Sequence, residues 1–256
     1  MVDILEEIIA DKREELSATK RKARSMKAAL AGSTSGIIAE FKRKSPSKGW
    51  IREDALPEAV VPGYAASGAA AVSILTDGKY FGGDIGYIRR VRPMVPDLPI
   101  LRKEFIIDGY QVHEAKASGA DAILLIAAAL GRKEYSDLLS TAHSLGLEVL
   151  LEVHDREELS YLQDGIPDML GVNNRSLGTF HTDVSHSFSI AEEMVGATGH
   201  IPEAERPLLV SESGIIDPAV VRELRQAGFR GFLIGECFMR QADPAKALAS
   251  FISGLC

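Results

Sequence analysis

Short apolar runs alternate with amphipathic stretches along most of the chain. Each run is five or six residues long, as expected of a strand buried in a parallel sheet. The amphipathic stretches between them show helix-start residues and the 3.6-residue period of a helix. The runs are GIIAEF (36–41), AVSIL (71–75), PILRK (99–103), AILLI (122–126), EVLLEV (148–153), MLGVN (169–173), PLLVS (207–211) and GFLIG (231–235). This pattern predicts eight β-then-α units.

Helix signals are clearest in DREELSYLQDG (155–165) and DPAVVRELRQAG (217–228), which each begin at an aspartate. Glycines at 68, 119 and 228 shortly precede strands, as C-cap residues do. The residues before the first strand predict one or two further helices, ILEEIIADKREEL (4–16) and SMKAALAG (25–32).

Eight such units in about 220 residues fit an α/β fold of the (β/α)8 TIM-barrel type. A doubly wound open sheet is the alternative, but no G-x-G-x-x-G follows the first strand. No linker or low-complexity segment suggests a second domain. We therefore expect residues 1–256 to form one barrel domain, with residues 1–35 as an N-terminal helical extension.

Composition narrows the class of protein. Hydrophobic residues make up 46% and charged residues 25%, which is typical of a globular protein. A net charge of -7 disfavours general nucleic-acid binding. Cys237 and Cys256 do not indicate a disulfide framework, no Cys/His cluster has metal-ligand spacing, and the apolar stretch 122–131 is too short to cross a membrane. We expect a cytoplasmic protein that uses no metal and binds neither nucleic acid nor membrane.

Charged and amide side chains stand at the ends of five predicted strands. Active sites of parallel barrels lie where the C-terminal strand ends meet. In the first strand Glu40 and Lys42 alternate with apolar neighbours, so both are expected to face the barrel mouth. One such residue usually only marks where the chain meets water, but several together predict an active site. The others at this rim are Lys103, Glu152, Asn173, Arg175, Glu212 and Ser213.

Two glycine-containing strand ends differ from these. SESGI (211–215) and LIGEC (233–237) follow the seventh and eighth strands, where barrels frequently bind phosphate through backbone N–H groups. The same glycines could simply form tight turns. Together they favour a phosphorylated small molecule as the ligand.

Seven segments resemble, in order, the motifs of the indole-3-glycerol phosphate synthase family. They are IIAEFKRKSPSKG (37–49), FGGD (81–84), PILRKEFI (99–106), LLEVHD (150–155), GVNNRSL (171–177), SESGI (211–215) and LIGECFMR (233–240). The resemblance spans essentially the whole chain. It implies a carboxy-lyase of tryptophan biosynthesis that closes 1-(2-carboxyphenylamino)-1-deoxyribulose 5-phosphate to indole-3-glycerol phosphate, with loss of carbon dioxide and water and without a cofactor.

The resemblance also implies roles for the rim residues. Lys103 matches the family's catalytic lysine in L-x-K-[DE]-F and would protonate the oxyanion formed during ring closure. Glu152 is the expected base, Lys42 would hold the substrate carboxylate, and Glu40 would orient the lysines and a sugar hydroxyl. The division of proton transfers among these four residues stays open.

Further residues are implied as substrate contacts. The positions expected to orient or cover the substrate are Asn173, Arg175, Glu212, Ser213, Phe81 and Phe105. Those expected at the phosphate are Ser45, Ser213, Gly214, Gly235 and Glu236, the last through its backbone N–H with its side chain turned away. Cys237 stands where the family often has a small hydroxylic residue, so no hydroxyl contact is expected there.

Several alternatives remain at this point. A Schiff-base aldolase could use Lys103 or Lys42 as its nucleophile. A related isomerase, a non-catalytic phosphate-binding barrel, or a nucleic-acid module built on the KRKSPSK run are other possibilities. Arg175 and Glu212 could form a structural ion pair, and Phe81 and Phe105 could be ordinary core. We expect a monomer or a weak dimer.

Three further positions are notable: one lies in a loop at the barrel mouth, and two are expected near the N-terminal end of the barrel. Trp50, in the loop after the first strand, stands where an aliphatic residue is more familiar. Residues 196–206 form an insertion expected at the barrel's N-terminal end. Glu148 shares the inward face with Glu152 but lies near the opposite end, where we expect it to stabilise the fold.

Overall fold

All eight predicted strands are present and form a closed parallel barrel. The computed structural model describes residues 4–6, 9, 21–176, 178 and 181–255. The strands pair in chain order and β8 closes onto β1, which confirms the TIM-barrel prediction. The strands are β1 (Ile37–Phe41), β2 (Ala71–Leu75), β3 (Ile100–Lys103), β4 (Ala122–Ile126), β5 (Glu148–Val153), β6 (Met169–Asn173), β7 (Leu208–Glu212) and β8 (Gly231–Ile234).

Helices connect the strands and precede the first. They are α1 (Met26–Gly32), α2 (Pro57–Ala66), α3 (Gly78–Phe81), α4 (Gly86–Val91), α5 (Gly109–Ser118), α6 (Arg132–Ser144), α7 (Ser185–Thr198), α8 (Pro218–Gln226), α9 (Glu236–Met239) and α10 (Pro244–Ser253). Short 3₁₀ helices cover Arg92–Met94, Ala127–Ala129 and Glu157–Gln163, and a small hairpin joins Lys44–Ser45 to Gly49–Trp50. Among the described residues, no helix is long and apolar enough to span a bilayer.

Three helix predictions have different outcomes. The helix predicted over 217–228 is present as α8. It begins after Asp217, whose side chain accepts a hydrogen bond from Ala219 N, and Gly228 follows the helix with φ 104°. The helix predicted over 25–32 is α1. Of the helix predicted over 4–16, residues 4–6 and 9 are helical and the rest lies outside the described residues.

The α-helix predicted over 155–165 is wrong, because this segment forms the 3₁₀ helix Glu157–Gln163. Its two buried leucines, Leu159 and Leu162, lie three residues apart. That spacing aligns side chains on one face of a helix with three residues per turn. The buried contacts therefore favour the tighter helix at this position.

Alternation along the strands divides the apolar residues into two cores. Ile37, Ala39 and Phe41 belong to the larger core beneath the helices. Ile38 of β1 instead belongs to the core inside the barrel, as do Leu101, Leu150 and Val210 from the other odd-numbered strands. Since side chains in a strand point alternately to the two faces, the next odd-strand layer toward the C-terminal end is occupied by Glu40, Lys103, Glu152 and Glu212.

Helix α1 closes the opposite end of the barrel. Its buried Met26 and Leu30 join the interior core. Glu148, at the start of β5, accepts hydrogen bonds from Ser25 Oγ (2.5 Å), Met26 N (2.7 Å) and Lys27 N (2.9 Å). A carboxylate there satisfies free N–H groups and complements the helix dipole. Glu148 therefore holds α1 in place, as expected for a residue that stabilises the fold.

The segment 196–206, predicted to be an insertion, also lies at this closed end. It connects α7 to the start of β7, and Lys27 Nζ donates to Ala204 O at 3.2 Å. Its placement away from the barrel mouth agrees with the prediction.

Candidate active site

A cavity of about 730 Å³ opens at the C-terminal ends of the strands. Nearly all of the predicted site residues line it: Glu40, Lys42, Phe81, Lys103, Phe105, Glu152, Asn173, Arg175, Glu212, Ser213, Gly214, Gly235 and Glu236. Ser45 does not. It is fully buried in the hairpin, and its Oγ has no hydrogen-bond partner among the described residues.

Lys103 is held between two carboxylates at the floor of this cavity. Its Nζ lies 2.6 Å from Glu152 Oε2 and 2.9 Å from Glu212 Oε2. The two glutamates are nearly inaccessible to solvent, and the lysine side chain is 14% exposed. Glu212 reaches Lys103 across the lumen, because β3 and β7 lie on opposite sides of an eight-stranded barrel. Lys103 is thereby fixed with its ammonium group pointing into the pocket.

The pKa values of these three groups are driven apart. Burial disfavours the ammonium form of Lys103, but the charges of Glu152 and Glu212 outweigh it and raise the lysine's pKa. Burial would raise the pKa of Glu152, yet Lys103 and His154 lower it below its usual value. Burial and the charge of Glu152 raise the pKa of Glu212 to about 7. The site therefore pairs a firmly charged lysine with an ionised carboxylate and a carboxyl group that retains a proton more readily.

Glycines make room for two of the carboxylates. A Cβ atom at Gly235 would lie 2.5 Å from Glu40 Oε1, and one at Gly171 would lie 2.5 Å from Glu212 Oε1. Glu40 forms an ion pair with Lys42 at the mouth of β1. Gly235 thus has a steric function toward Glu40, whatever contact its backbone makes with a ligand.

Asn173 and Arg175 are positioned by the strand end of β6. Asn173 Nδ2 donates to Glu152 Oε1 at 3.0 Å, which leaves the amide holding the carboxylate beside Lys103. Arg175 Nε donates to Thr182 Oγ1 at 3.1 Å, and its guanidinium lies 3.6 Å from Glu236. The alternative of an Arg175–Glu212 ion pair is wrong, because Glu212 pairs with Lys103.

The loop after β7 adopts a constrained backbone. Ser213 has φ 68° and Gly214 has φ 77°, so two successive residues are left-handed. Serine is uncommon in that region and needs support. Asn174 supplies it: its Nδ2 donates to Ser213 O at 3.0 Å, and its Oδ1 accepts from Ser187 N and Oγ. A buried amide network therefore fixes the loop that the sequence predicts at the phosphate.

Three cations surround Glu236 at one side of the cavity. Lys48 lies 2.6 Å, Arg240 2.8 Å and Arg175 3.6 Å from its carboxylate. Burial opposes ionisation of Glu236, but its hydrogen bond with Lys48 and the nearby cations hold its pKa below the usual value. Three positive charges against one negative charge leave an excess of two, and we call these four residues the cation cluster.

Aromatic side chains cover another side of the mouth. Phe81 and Phe105 face each other with ring centroids 6.2 Å apart and planes tilted by 36°. Both line the cavity and Phe105 is 44% exposed, so the alternative that they are core residues is wrong. Asp77 caps α3, which carries Phe81, by accepting from Tyr80 N and Phe81 N.

Trp50 joins the loops after β1 and β2. Its indole packs so closely on Gly82, which has φ 64°, that a Cβ added to this glycine would lie 2.7 Å from the ring. Arg43 and Lys44 lie 5.3 Å and 5.6 Å from the ring centroid, in cation–π range. The indole therefore fastens the hairpin that carries Lys48 to the segment that carries Phe81.

Sequence reasoning missed several cavity residues. Lys48 and Arg240 belong to motifs that resemble the family's. Arg240 pairs with Glu236 at i,i+4 spacing, whereas the approach of Lys48 to Glu236 depends on how two loops meet. His154, which lies behind Glu152 and is not among the described residues that line the cavity, was also missed, although its place two residues after the predicted base could have drawn attention to it. The apolar wall is formed by Leu124, Ile126, Leu233 and Ile234. No group of His, Cys, Asp and Glu within the described ranges could hold a metal ion.

Known proteins resemble this chain over its whole length. The profile of the family described as indole-3-glycerol phosphate synthase matches residues 3–251. A protein of that name from Bacteroides thetaiotaomicron is 54% identical over 270 aligned positions, covering 100% of both chains. Another from Laribacter hongkongensis is 42% identical, covering 97% of this chain and 98% of its own.

Solved structures support the fold. A 3-hexulose-6-phosphate synthase aligns with a TM-score of 0.64 at 13% identity, covering 86% of this chain and 99% of its own. A Pyrococcus furiosus tryptophan synthase chain aligns with a TM-score of 0.60, also at 13% identity, covering 86% and 98%. At such identities the likeness concerns the barrel alone. Together with the sequence matches, the charged cavity at its mouth leads to one conclusion: the chain belongs to the indole-3-glycerol phosphate synthase family, whose members are decarboxylating lyases of tryptophan biosynthesis.

Proposed function

We propose that the site residues of this chain carry out the family's ring closure with Lys103 as the principal general acid. The observation that carries this assignment is the placement of Lys103 Nζ, 2.6 Å from Glu152 and 2.9 Å from Glu212, at the floor of the cavity, where both carboxylates are buried. An acid fixed by two carboxylates is preorganised to meet negative charge that develops on a substrate oxygen.

The substrate's two anionic groups match two separate cationic regions. The cation cluster has two positive charges in excess, which suits a phosphate dianion, and Ser213 and Gly214 border the same cavity. Lys42 lies at the mouth of β1 and would face the benzoate carboxylate. A substrate held at both ends would place its ketone over Lys103. Ser45 is buried in the hairpin, so it would contact phosphate only if the hairpin shifts.

The aromatic pair suits one face of the substrate's ring. A third ring between Phe81 and Phe105 would need their centroids roughly 7 Å apart, whereas they are 6.2 Å apart. The pair therefore covers the anthranilate ring from one side, with the apolar wall on the other. This contact holds the aryl carbon against the ketone in a reactive orientation.

The chemistry then proceeds in three proton-balanced stages. The aryl carbon attacks the ketone carbon, and Lys103 gives a proton to the resulting oxyanion. Carbon dioxide leaves, and its bonding electrons return to the ring system. The new hydroxyl departs as water with a second proton, while Glu152 takes the proton released in forming the indole double bond. Each turnover of the carboxylate substrate therefore consumes one proton from solvent.

The decisive experiment is incubation of the purified protein with 1-(2-carboxyphenylamino)-1-deoxyribulose 5-phosphate, following indole fluorescence. We expect turnover by the wild type and a loss of at least about 10³-fold in kcat for Lys103→Ala, since the main acid is removed. Circular dichroism would establish that the variant is folded. Absence of indole product from the wild type between about pH 6 and 9, where Lys103 stays charged and Glu152 ionised, would contradict the proposal.

A Schiff-base aldolase is disfavoured by the state of Lys103. A nucleophilic lysine must be neutral, whereas the two carboxylates raise the pKa of Lys103. Borohydride added with the carbonyl substrate should leave no reduced adduct on Lys103 or Lys42, as mass spectrometry would show. A trapped lysine would favour the aldolase.

We also propose an oligomeric state and a cellular location for this protein. One chain supplies both the proton-transfer groups and the cation cluster, which supports a monomer, or a weak dimer without shared sites. A cytoplasmic location agrees with a biosynthetic enzyme that acts on a phosphorylated metabolite. Sedimentation velocity and cell fractionation would test these two expectations.

A further inference from the structure

His154 lies directly behind the proposed base. Its Nε2 is 3.3 Å from Glu152 Oε1, and its Nδ1 is 3.8 Å from Glu158 Oε2. The side chain is only 14% exposed, and neither ring nitrogen has a hydrogen bond to any of the described residues. The cavity walls, as far as the described residues define them, do not include His154. Its contact with a cavity residue is the 3.3 Å approach to Glu152.

The backbone of His154 is fixed on both sides. Its N–H donates to Glu158 Oε2 at 2.5 Å, and its carbonyl oxygen lies 2.8 Å from His186 Nε2 on α7. This clamp fixes the backbone from which the imidazole approaches Glu152, and the buried surroundings of the side chain limit its other positions. The clamp also accounts for the role of Glu158 in the 3₁₀ helix after β5, because its carboxylate contacts both the backbone and the ring of His154.

The charges around the imidazole are mainly negative. Glu152 faces it from β5, Glu158 from the 3₁₀ helix and Glu212 from β7, while Lys103 on β3 lies beyond Glu152. Burial disfavours the imidazolium, but Glu158, Glu152 and Glu212 outweigh it and raise the pKa of His154. The imidazolium is one of the charges that lower the pKa of Glu152.

We propose that His154 is a positioning residue, whose imidazolium holds the Glu152 carboxylate ionised and fixes Oε1 from the side away from the substrate. This inference rests on the proposed role of Glu152 as base. Asn173 donates to the same oxygen at 3.0 Å and Lys103 to the other at 2.6 Å, and the imidazolium, 3.3 Å from Oε1, adds a positive charge beside the carboxylate. A base held in this way stays ready to accept a proton over a wider range of pH.

The test is His154→Gln, which keeps a polar side chain of similar reach but cannot become charged. Without the imidazolium the pKa of Glu152 should rise, so the acid limb of the kcat/KM profile should move to higher pH. We expect kcat near neutral pH to fall on the order of tenfold, with KM changed by less than about twofold. A purely structural residue would lower the melting temperature but leave the position of the acid limb unchanged.

Two further variants make the result specific. Glu158→Gln should move the acid limb in the same direction by a smaller amount, because His154 would then lose its proton more easily. His143→Gln is the matched control: this histidine pairs with Asp168 at 3.0 Å, away from the cavity, and its loss should leave the profile unchanged.

A readout without turnover separates this inference from the proposed function. Histidine ring signals in NMR should show His154 titrating at lower pH in Glu152→Gln than in the wild type. That result would support the contact even in an inactive protein. An unmoved titration, or an unchanged acid limb in folded His154→Gln, would overturn it. If the wild type itself made no indole product, the proposed function would fail, while the NMR result would still decide on the contact.

Discussion

The two glutamates of β5 face the same side of the same strand, four residues apart, yet they serve different ends of the barrel. Glu148 contacts Ser25, Met26 N and Lys27 N and holds α1. Glu152 contacts Lys103 and Asn173 at the cavity floor. The difference lies in the partners: Glu148 accepts from one hydroxyl and two backbone N–H groups, whereas Glu152 faces the ammonium group of Lys103 and the side-chain amide of Asn173. Position along a barrel strand thus determines what an identical side chain does.

Strand β8 repeats the contrast with glycines. Gly231 lies at the closed end, where an added Cβ would stand 2.9 Å from Val210 and 3.3 Å from Leu30 of α1. Gly235 follows the strand at the mouth, where the same atom would stand 2.5 Å from Glu40 Oε1. Gly231 thus leaves space for helix α1 to pack against the barrel, and Gly235 leaves space for the carboxylate of Glu40.

The largest effect is expected from exchanging the glutamates for glutamine. Glu152→Gln should lower kcat by about 10²- to 10⁴-fold, since the base is lost. Glu148→Gln should leave kcat within about twofold but lower the free energy of unfolding by about 1–2 kcal/mol, because charged acceptors at a helix start are weakened. Steady-state kinetics and urea unfolding measure both. Equal losses of activity in the two variants would abolish the distinction between the ends.

Substitution of the two glycines should show the same contrast, with a smaller effect: the change at the mouth should affect activity, and the change at the closed end should affect stability. Gly235→Ala should displace Glu40 and lower kcat by about tenfold or more, because a displacement of about 1 Å in a site is costly. Gly231→Ala should cost about 1–3 kcal/mol of stability through overpacking and keep the activity of the folded fraction. Kinetics normalised to folded protein would show this. A Gly235→Ala enzyme with unchanged kcat would argue that Glu40 needs no defined position.

A still smaller effect is expected at the cation cluster. Arg240→Ala should raise KM by about three- to tenfold with kcat nearly constant, because a half-exposed cation is partly screened and Lys48 and Arg175 remain. Arg222→Ala is the control, since Arg222 donates to Gly254 O on the outside of the barrel. An increase in KM that persists with a substrate lacking phosphate would place Arg240 elsewhere than at the phosphate.

The smallest effect concerns pH and stability. Burial, opposed by the Ser25 and backbone contacts, raises the pKa of Glu148, so its contribution is full below pH 4.5 and is lost as pH rises through the folded-state value. The pKa of Glu152 is lowered by Lys103 and His154 despite burial, so its contribution is present above pH 4.5 and is lost as pH falls through the folded-state value.

The two glutamine variants should therefore diverge on acidification. Relative to the wild type, the stability deficit of Glu148→Gln should grow as pH falls from about 7 to 4, and that of Glu152→Gln should shrink below about 4.5. Urea unfolding at several pH values measures both slopes. Parallel slopes would show that the two carboxyl groups experience similar surroundings.

Much of this arrangement could be predicted from alternation alone. Parity along β1 places Glu40 inside and Phe41 outside, and the closing of eight strands places Lys103 and Glu152 at one rim. Residues that touch across the lumen were out of reach: Lys103 and Glu212 are 109 positions apart, and their pairing depends on the barrel's width and strand order. Local propensity also failed to distinguish an α-helix from a 3₁₀ helix after β5. There the three-residue spacing of the buried Leu159 and Leu162 favours the 3₁₀ helix.

Contacts made by loop residues were also not predictable from the sequence. The SPS motif suggested a hydroxyl at the phosphate, but hairpin pairing buries Ser45 beneath the loop surface. Asn174 follows Asn173 and faces the other way, so its support of Ser213 became visible only with Ser187 and Ser211 in place. Contacts of this kind depend on three elements that meet in space, and a linear pattern does not encode their meeting.

Trp50 gives the protein a built-in optical reporter. It is the only tryptophan in the sequence, it is 47% exposed, and its ring rests against Gly82. All tryptophan emission therefore originates at the junction between the loops after β1 and β2, with no background from the barrel. Changes in its wavelength or quenching on addition of a non-fluorescent ligand would record the movement of that junction directly, in a protein that needs no label.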